Sequence, residues 1–207
     1  MDTLTKVIAV TGPPGSGKTT LVEALARRLG DAAVLSMDHY QSMTRLPIEE
    51  IKRWFARGAD LDELPVGALS EHLTSLKRGR SVVDPATRTA IAPARYVVFE
   101  THFGRAHSAT GGLIDVLVWL DTPPDVALVR NLQGFLRPLL EPHPQEWMRE
   151  KLHWIDGYLE NYQTVIGGLV RMQSLRVRPG ADLVIEPDVA LPDAVEQVYR
   201  FLGTSGG

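Results

Sequence analysis

Residues 12 to 19 read Gly12-Pro13-Pro14-Gly15-Ser16-Gly17-Lys18-Thr19, a full match to G-x-x-x-x-G-K-[ST]. Average residue usage produces this pattern by accident in roughly one chain of this length in a hundred. An apolar run, Val7 to Val10, precedes it and an amphipathic stretch follows, the strand-to-helix setting the pattern requires. Glycines let successive backbone N–H groups turn inward around a β-phosphate, and the start of a helix adds partial positive charge. Lys18 can reach the β- and γ-phosphates, the Thr19 hydroxyl can ligate Mg²⁺, and Thr20 continues the cradle into the helix. ATP and Mg²⁺ are therefore the expected ligands. The bland alternative is a glycine-rich turn carrying an exposed lysine.

Transfer chemistry needs carboxylates beside such a cradle. Asp38, in Ser36-Met37-Asp38-His39-Tyr40, follows the expected second strand and should stand at a strand's carboxyl end near the phosphates. Two apolar runs end in an acid that could hold Mg²⁺: Val97-Val98-Phe99-Glu100 and Leu117-Val118-Trp119-Leu120-Asp121. Asp121 directly precedes Thr122-Pro123-Pro124, where a helix start accounts for it, so Glu100 is the favoured acid. The N-K-x-D base reader of a guanine-specific switch protein is absent.

Together with the phosphate loop, the segment around Asp38 resembles the uridine kinase and phosphoribulokinase group of P-loop small-molecule kinases. The resemblance runs on in order through Ala59-Asp60-Leu61-Asp62, Lys77-Arg78-Gly79-Arg80, a hairpin region and the run ending at Glu100. It implies an α/β P-loop NTPase of nucleoside-kinase-like type, a five-stranded parallel sheet in the order 2-3-1-4-5 with helices on both faces. It further implies that Asp38 takes the acceptor hydroxyl proton or joins the Mg²⁺ shell, and that Glu100 holds Mg²⁺ through water. Asp60 or Asp62 falls where the group binds a substrate hydroxyl, and Arg130, with Arg137, where a lid sends arginines toward the phosphates. His39, Tyr40, Arg88, His102 and Phe103 are the remaining candidates for substrate contact. Each position has a plainer reading: a turn or cap for Asp38, Asp60 and Asp62, a solvated helix residue for Arg130, ordinary loop histidines for His39 and His102.

The acceptor side departs from the group. The hairpin reads Asp84-Pro85-Ala86-Thr87-Arg88, without the Tyr and His that hold a pyrimidine base. The lid, about 130–145, is poor in Arg and stiffened by Pro138, Pro142 and Pro144. After Glu100, Thr101-His102-Phe103 replaces a Gly-hydrophobic pair. Six histidines include no H-x-x-x-H or H-E-x-x-H spacing, which argues against a dedicated zinc site.

The elements expected to position these residues alternate strand and helix. Strands are expected at Val7 to Val10, Ala33 to Leu35, Tyr96 to Phe99, Ile114 to Leu120 and Leu183 to Ile185. Helices are expected at Thr19 to Leu29, Ile48 to Arg57, Val66 to Lys77, after Thr122 with its side chain as cap, Gln145 to about Met172, and Asp193 to Phe201. A small hairpin excursion occupies about 80–93. In the longest helix, Met148, Leu152, Ile155, Leu159, Tyr162, Ile166 and Leu169 form one apolar seam, with Trp147, Trp154 and Tyr158 as a second stripe. Both stripes pack within one subunit, or one faces a homodimer partner or the acceptor.

The 207 residues, 44% of them hydrophobic, suit one P-loop domain over 1–207 rather than two. A net charge of −3 argues against a nucleic-acid partner held by phosphate neutralisation. The absence of cysteine excludes disulfides, thiolate catalysis and Cys-type zinc sites. No signal-peptide pattern opens the chain and no apolar run could span a bilayer, so a cytoplasmic protein without membrane partners is expected. The leading reading is an ATP-dependent kinase acting on a hydroxyl of a small molecule (nucleoside, sugar, antibiotic or pantothenate-like alcohol). A nucleotide-binding regulatory protein without an acceptor is the alternative, and a kinase of polynucleotide ends or protein side chains is a third.

Overall fold

The computed structural model describes residues 5–40 and 46–204. The chain runs β1 (Lys6–Thr11), α1 (Lys18–Leu29), β2 (Ala32–Ser36), α2 (Ile48–Ala56), α3 (Leu69–Lys77), β3 (Val82–Val83), β4 (Ala90–Ile91) and β5 (Tyr96–Glu100). It continues α4 (Ser108–Gly111), β6 (Val116–Leu120), α5 (Pro124–Leu136), α6 (Gln145–Asn161), α7 (Gly167–Arg176), β7 (Leu183–Ile185) and α8 (Leu191–Thr204). The five long-range strands form one parallel sheet in the order β2-β5-β1-β6-β7. These numbers differ from the expected 2-3-1-4-5 because β3 and β4 pair only with each other, as an antiparallel hairpin.

Strand alternation sends side chains to two separate cores. Val7, Ala9, Val97, Phe99, Leu117 and Trp119 enter one, where α2, α3 and the turn after α6 cover them through Trp54, Leu69, Leu73 and Val165. Ile8, Val10, Val98, Val116, Val118 and Leu120 enter the other, under Leu21, Val22 and Leu25 of α1 and Val195 and Val198 of α8. Cover on both faces explains why these strands read as unbroken apolar runs. All five strands share one direction, so their carboxyl ends form a single edge, the place where such sheets bind ligands.

Several boundaries differ from the sequence reading. Helix α3 begins at Leu69 rather than Val66. Strand β6 begins at Val116, because Asp115 turns aside to accept the Val7 N–H at 2.7 Å and to pair with Lys77. Helix α5 has Pro124 at its first position, but its N-cap is Pro123 and no side chain caps it, so Thr122 does not serve as the expected cap. Nor is Asp121 a helix-start acid: it pairs with Arg178 at 2.8 Å and accepts the Trp119 indole N–H. The longest helix is interrupted by a π turn, Tyr162–Ile166, and runs on to Arg176. The wider turn rotates the following face, so Val165 and Val170 are buried while Ile166 and Leu169 are only partly so.

Candidate active site

The loop between β1 and α1 bends through Gly12, Gly15 and Gly17, all with positive φ. A Cβ on Gly12 would meet the Leu120 carbonyl and Ser16 Oγ at 2.9 Å each. One on Gly15, at φ +87°, would stand 2.2 Å from the Ala127 carbonyl of α5. Glycine is thus needed both for the turn and for the close approach of α5, which places Arg130 one turn beyond the contact. Ser16 Oγ is buried without a hydrogen-bond partner. Lys18 is buried, and its Nζ donates to the carbonyls of Gly12 at 3.1 Å and Pro13 at 3.0 Å. Burial pulls its pKa down to about 8, against the charges of Glu100 and Asp38, which push it up. An unpartnered hydroxyl, a desolvated ammonium and inward-turning glycines fit a phosphate chain.

At the same sheet edge, Thr19 Oγ1 donates to Glu100 Oε2 at 2.8 Å, and Ser36 Oγ donates to Glu100 Oε1 at 3.3 Å. The register sets this cluster, because Glu100 pairs with Val10 on β1 and with Ser36 on β2. A hydroxyl and a carboxylate at the mouth of a phosphate loop form an oxygen donor set that fits a magnesium-like cation. Asp121 is engaged with Arg178 and takes no part.

Asp38 lies in the one-turn helix Met37–His39 directly after β2. Its carboxylate stands 3.7 Å from His102 Nε2. The His102 backbone is held by Met37 Sδ, which accepts its N–H, and by Gln173 Nε2, which donates to its carbonyl at 2.8 Å. Asp38, His102 and Phe103 line a cavity of about 620 Å³, and Pro14 brings the phosphate loop to the same cavity. Its far walls come from α2, α5, α6 and α7, including Trp54, Phe135, Trp154 and Tyr158.

The remaining candidates lie outside that lining. His39 Nδ1 bonds Asp84 Oδ2 at 2.7 Å, and Tyr40 is buried with its hydroxyl 3.0 Å from His72 Nδ1. Burial pushes the Tyr40 phenol up to about 12. Asp60 caps the turn Leu61–Glu63 by accepting the Asp62 N–H, and Asp62 accepts the Ser108 N–H at the start of α4. Each carboxylate thus accepts a backbone N–H, and neither lines the cavity. Arg88 is exposed at φ +60° in the tip of the β3–β4 hairpin and is not part of the cavity lining. Arg130 and Arg137 are exposed on α5 and the short turn after it. Sequence reading did not single out Ser36, Asn131 or Phe135. The last two are four residues apart on α5, in phase with Ala127, and that spacing was the available signal.

A parallel sheet with a phosphate loop on its central strand, and carboxylates on the neighbouring strand ends, defines a P-loop nucleotide-binding protein of the kinase type. The family profile described as an AAA domain matches residues 7–133, more than half of the sequence, and the chain belongs to that family. It is similar to the uridine kinase of Geobacillus kaustophilus, 26% identical across 93% of this chain and 88% of that one. It is also similar to the uridine kinase of Tolumonas auensis, 29% identical across 77% of this chain and 76% of the relative. Among solved structures, the fold is like that of a shikimate kinase from Acinetobacter baumannii in complex with shikimate, with TM-score 0.52, 19% identity, and 99% and 96% of the two chains covered. A possible uridine kinase from Bacillus stearothermophilus gives TM-score 0.50 and 14% identity over 87% and 88%. The chain is a P-loop kinase similar in sequence to uridine kinases. Among the described residues, no helix is long and apolar enough to cross a membrane.

Proposed function

We propose that the chain transfers the γ-phosphoryl group of ATP to a hydroxyl of a small molecule held in the cavity beside Asp38. The observation that carries this reading is that Pro14 of the phosphate loop and the Asp38 carboxylate line one cavity. A nucleotide switch has no need of such a space. Backbone N–H groups of the loop and Lys18 would hold the β- and γ-phosphates. Thr19 and Glu100 would hold Mg²⁺, which supplies charge neutralisation on the phosphates when bound. Asp38, with His102 beside it, orients the acceptor hydroxyl and takes its proton as the new O–P bond forms and the bond to the departing ADP oxygen breaks. The transition state is loose, so positioning and charge stabilisation matter more than proton removal. Arg130 and Arg137 serve the transferred group when residues of the lid, about 130–145, fold over the loop.

The test is saturable, ATP-dependent turnover across a panel of chemically diverse alcohols, with the phosphorylated product identified directly. ATP hydrolysis at a rate indifferent to every alcohol, with slow nucleotide release, would instead identify a nucleotide-binding regulator.

A further inference from the structure

One wall of the cavity is aromatic. Trp154 and Tyr158 stack with centroids 5.9 Å apart and planes 18° apart, and Phe135 stands edge-on to both at 4.8 and 5.0 Å. Trp154 is nonetheless 49% exposed, so ring surface remains for a ligand. Twelve of the seventeen lining residues are apolar, and among the described residues none of the lining is Lys or Arg. The nearby Lys151 ammonium lies over the Trp154 ring, 4.6 Å from its centroid, outside the lining.

Polar side chains are few in the lining, and several already make hydrogen bonds within the protein. The Trp54 indole N–H donates to the Asp60 carbonyl at 2.8 Å, the Gln173 amide donates to the His102 carbonyl, and the Asn131 amide donates to the Tyr158 hydroxyl at 3.0 Å. Besides the Trp54 and Trp154 indoles, the hydrogen-bonding side chains of the lining are Asp38, His102, the Asn131 and Gln173 amides and the Tyr158 hydroxyl, few against twelve apolar residues. A ligand with many hydroxyls would bury several without partners, each costing roughly tenfold or more in affinity. A carboxylate or phosphate would enter with no Lys or Arg among the described residues of the lining and with Asp38 in it. Aromatic surface, by contrast, gains from leaving water and from ring-to-ring contact.

On the reading of this chain as an alcohol kinase, we infer that its acceptor is an alcohol on an aromatic body, free of negative charge and with few other hydroxyls. This departs from the polyhydroxy acceptors suggested by the names of its relatives.

Calorimetric titration of the full chain tests it with five probes: 2-(2-naphthyl)ethanol, 2-amino-1-phenylethanol, ribose, uridine and shikimate. The two aryl alcohols should bind at least tenfold more tightly than the other three. Trp154→Ala should weaken the naphthyl probe at least tenfold and leave affinity for a non-hydrolysable ATP analogue within twofold, which also shows that the variant folds. Equal or tighter binding of ribose, uridine or shikimate overturns the inference. So does naphthyl affinity indifferent to Trp154→Ala. Each probe is then incubated with Mg-ATP and the product followed by phosphorus NMR. Phosphorylation of uridine, ribose or shikimate in preference to the aryl alcohols overturns the inference and leaves the kinase reading standing. Trp154-dependent aryl binding with no alcohol phosphorylated overturns the kinase reading, and with it an acceptor role for the aryl ligand.

Discussion

On the proposed function Lys18 and Asp38 have different duties, and each gives a separate expectation. With its pKa lowered to about 8 by burial, Lys18 carries its proton at pH 7 and loses it as pH rises through that value. Only the protonated form attracts phosphate, so affinity for an ATP analogue should be about tenfold weaker at pH 9 than at pH 7. Titrations across that range check this, and Lys18→Ala should flatten the profile. The same variant should lack ATP-dependent turnover while its circular dichroism is unchanged, because among the described residues Nζ bonds loop carbonyls alone. Asp38→Asn keeps shape and removes the proton acceptor. It should lower kcat by roughly 10²–10⁴-fold, toward the low end for a loose transition state, with ATP affinity within a few fold. Steady-state kinetics beside nucleotide titration measures both. Unchanged kcat would return Asp38 to a turn residue, and loss of ATP binding alone would place it in the metal shell.

At the scale of elements, the site depends on how α5 meets the phosphate loop. Gly15→Ala adds a methyl 2.2 Å from the Ala127 carbonyl, at a φ of +87° that alanine rarely adopts. Loop and helix would have to separate, so nucleotide affinity should fall by about tenfold or more while the sheet stays folded. Titration and circular dichroism together check this. Gly17 has open space around its missing Cβ, so the same substitution there tests backbone conformation without the clash. The π turn acts at this scale too: by rotating α7 relative to α6 it lets Val165 and Val170 enter the core while Trp154 and Tyr158 face the cavity.

Across the whole molecule, the β3–β4 hairpin is tied to the site-bearing turn after β2 by a single buried carboxylate. Asp84 is desolvated, which alone would raise its pKa, yet the Thr87 and Ala86 N–H groups and His39 hold it at about 2. A folded-state pKa below the unfolded one means stability that is full above about pH 4 and is lost as pH falls toward 2. The contribution is about 2 kcal/mol for a shift of this size. Thermal unfolding followed from pH 5 to pH 2 should show this loss, and Asp84→Asn should be less stable at pH 5 and less sensitive to acid.

The phosphate loop was legible because its chemistry is local: glycine spacing, the lysine and the following hydroxyl lie within eight consecutive residues. The parallel α/β class was legible because strands buried on both faces must read as unbroken apolar runs. Glu100 could be named as a candidate because it ends such a run, and Asp38 because it follows the second strand. Asp121 misled as a helix-start acid because a carboxylate at a turn serves an ion pair as readily as a cap, and its partner Arg178 is distant in sequence. The aromatic wall was visible as a stripe on one helix, without any sign of what it faced. Only tertiary structure brought Trp54, Phe135, Trp154 and Tyr158 around one space, because a cavity is made by elements packing against each other and no single stretch of chain encodes it.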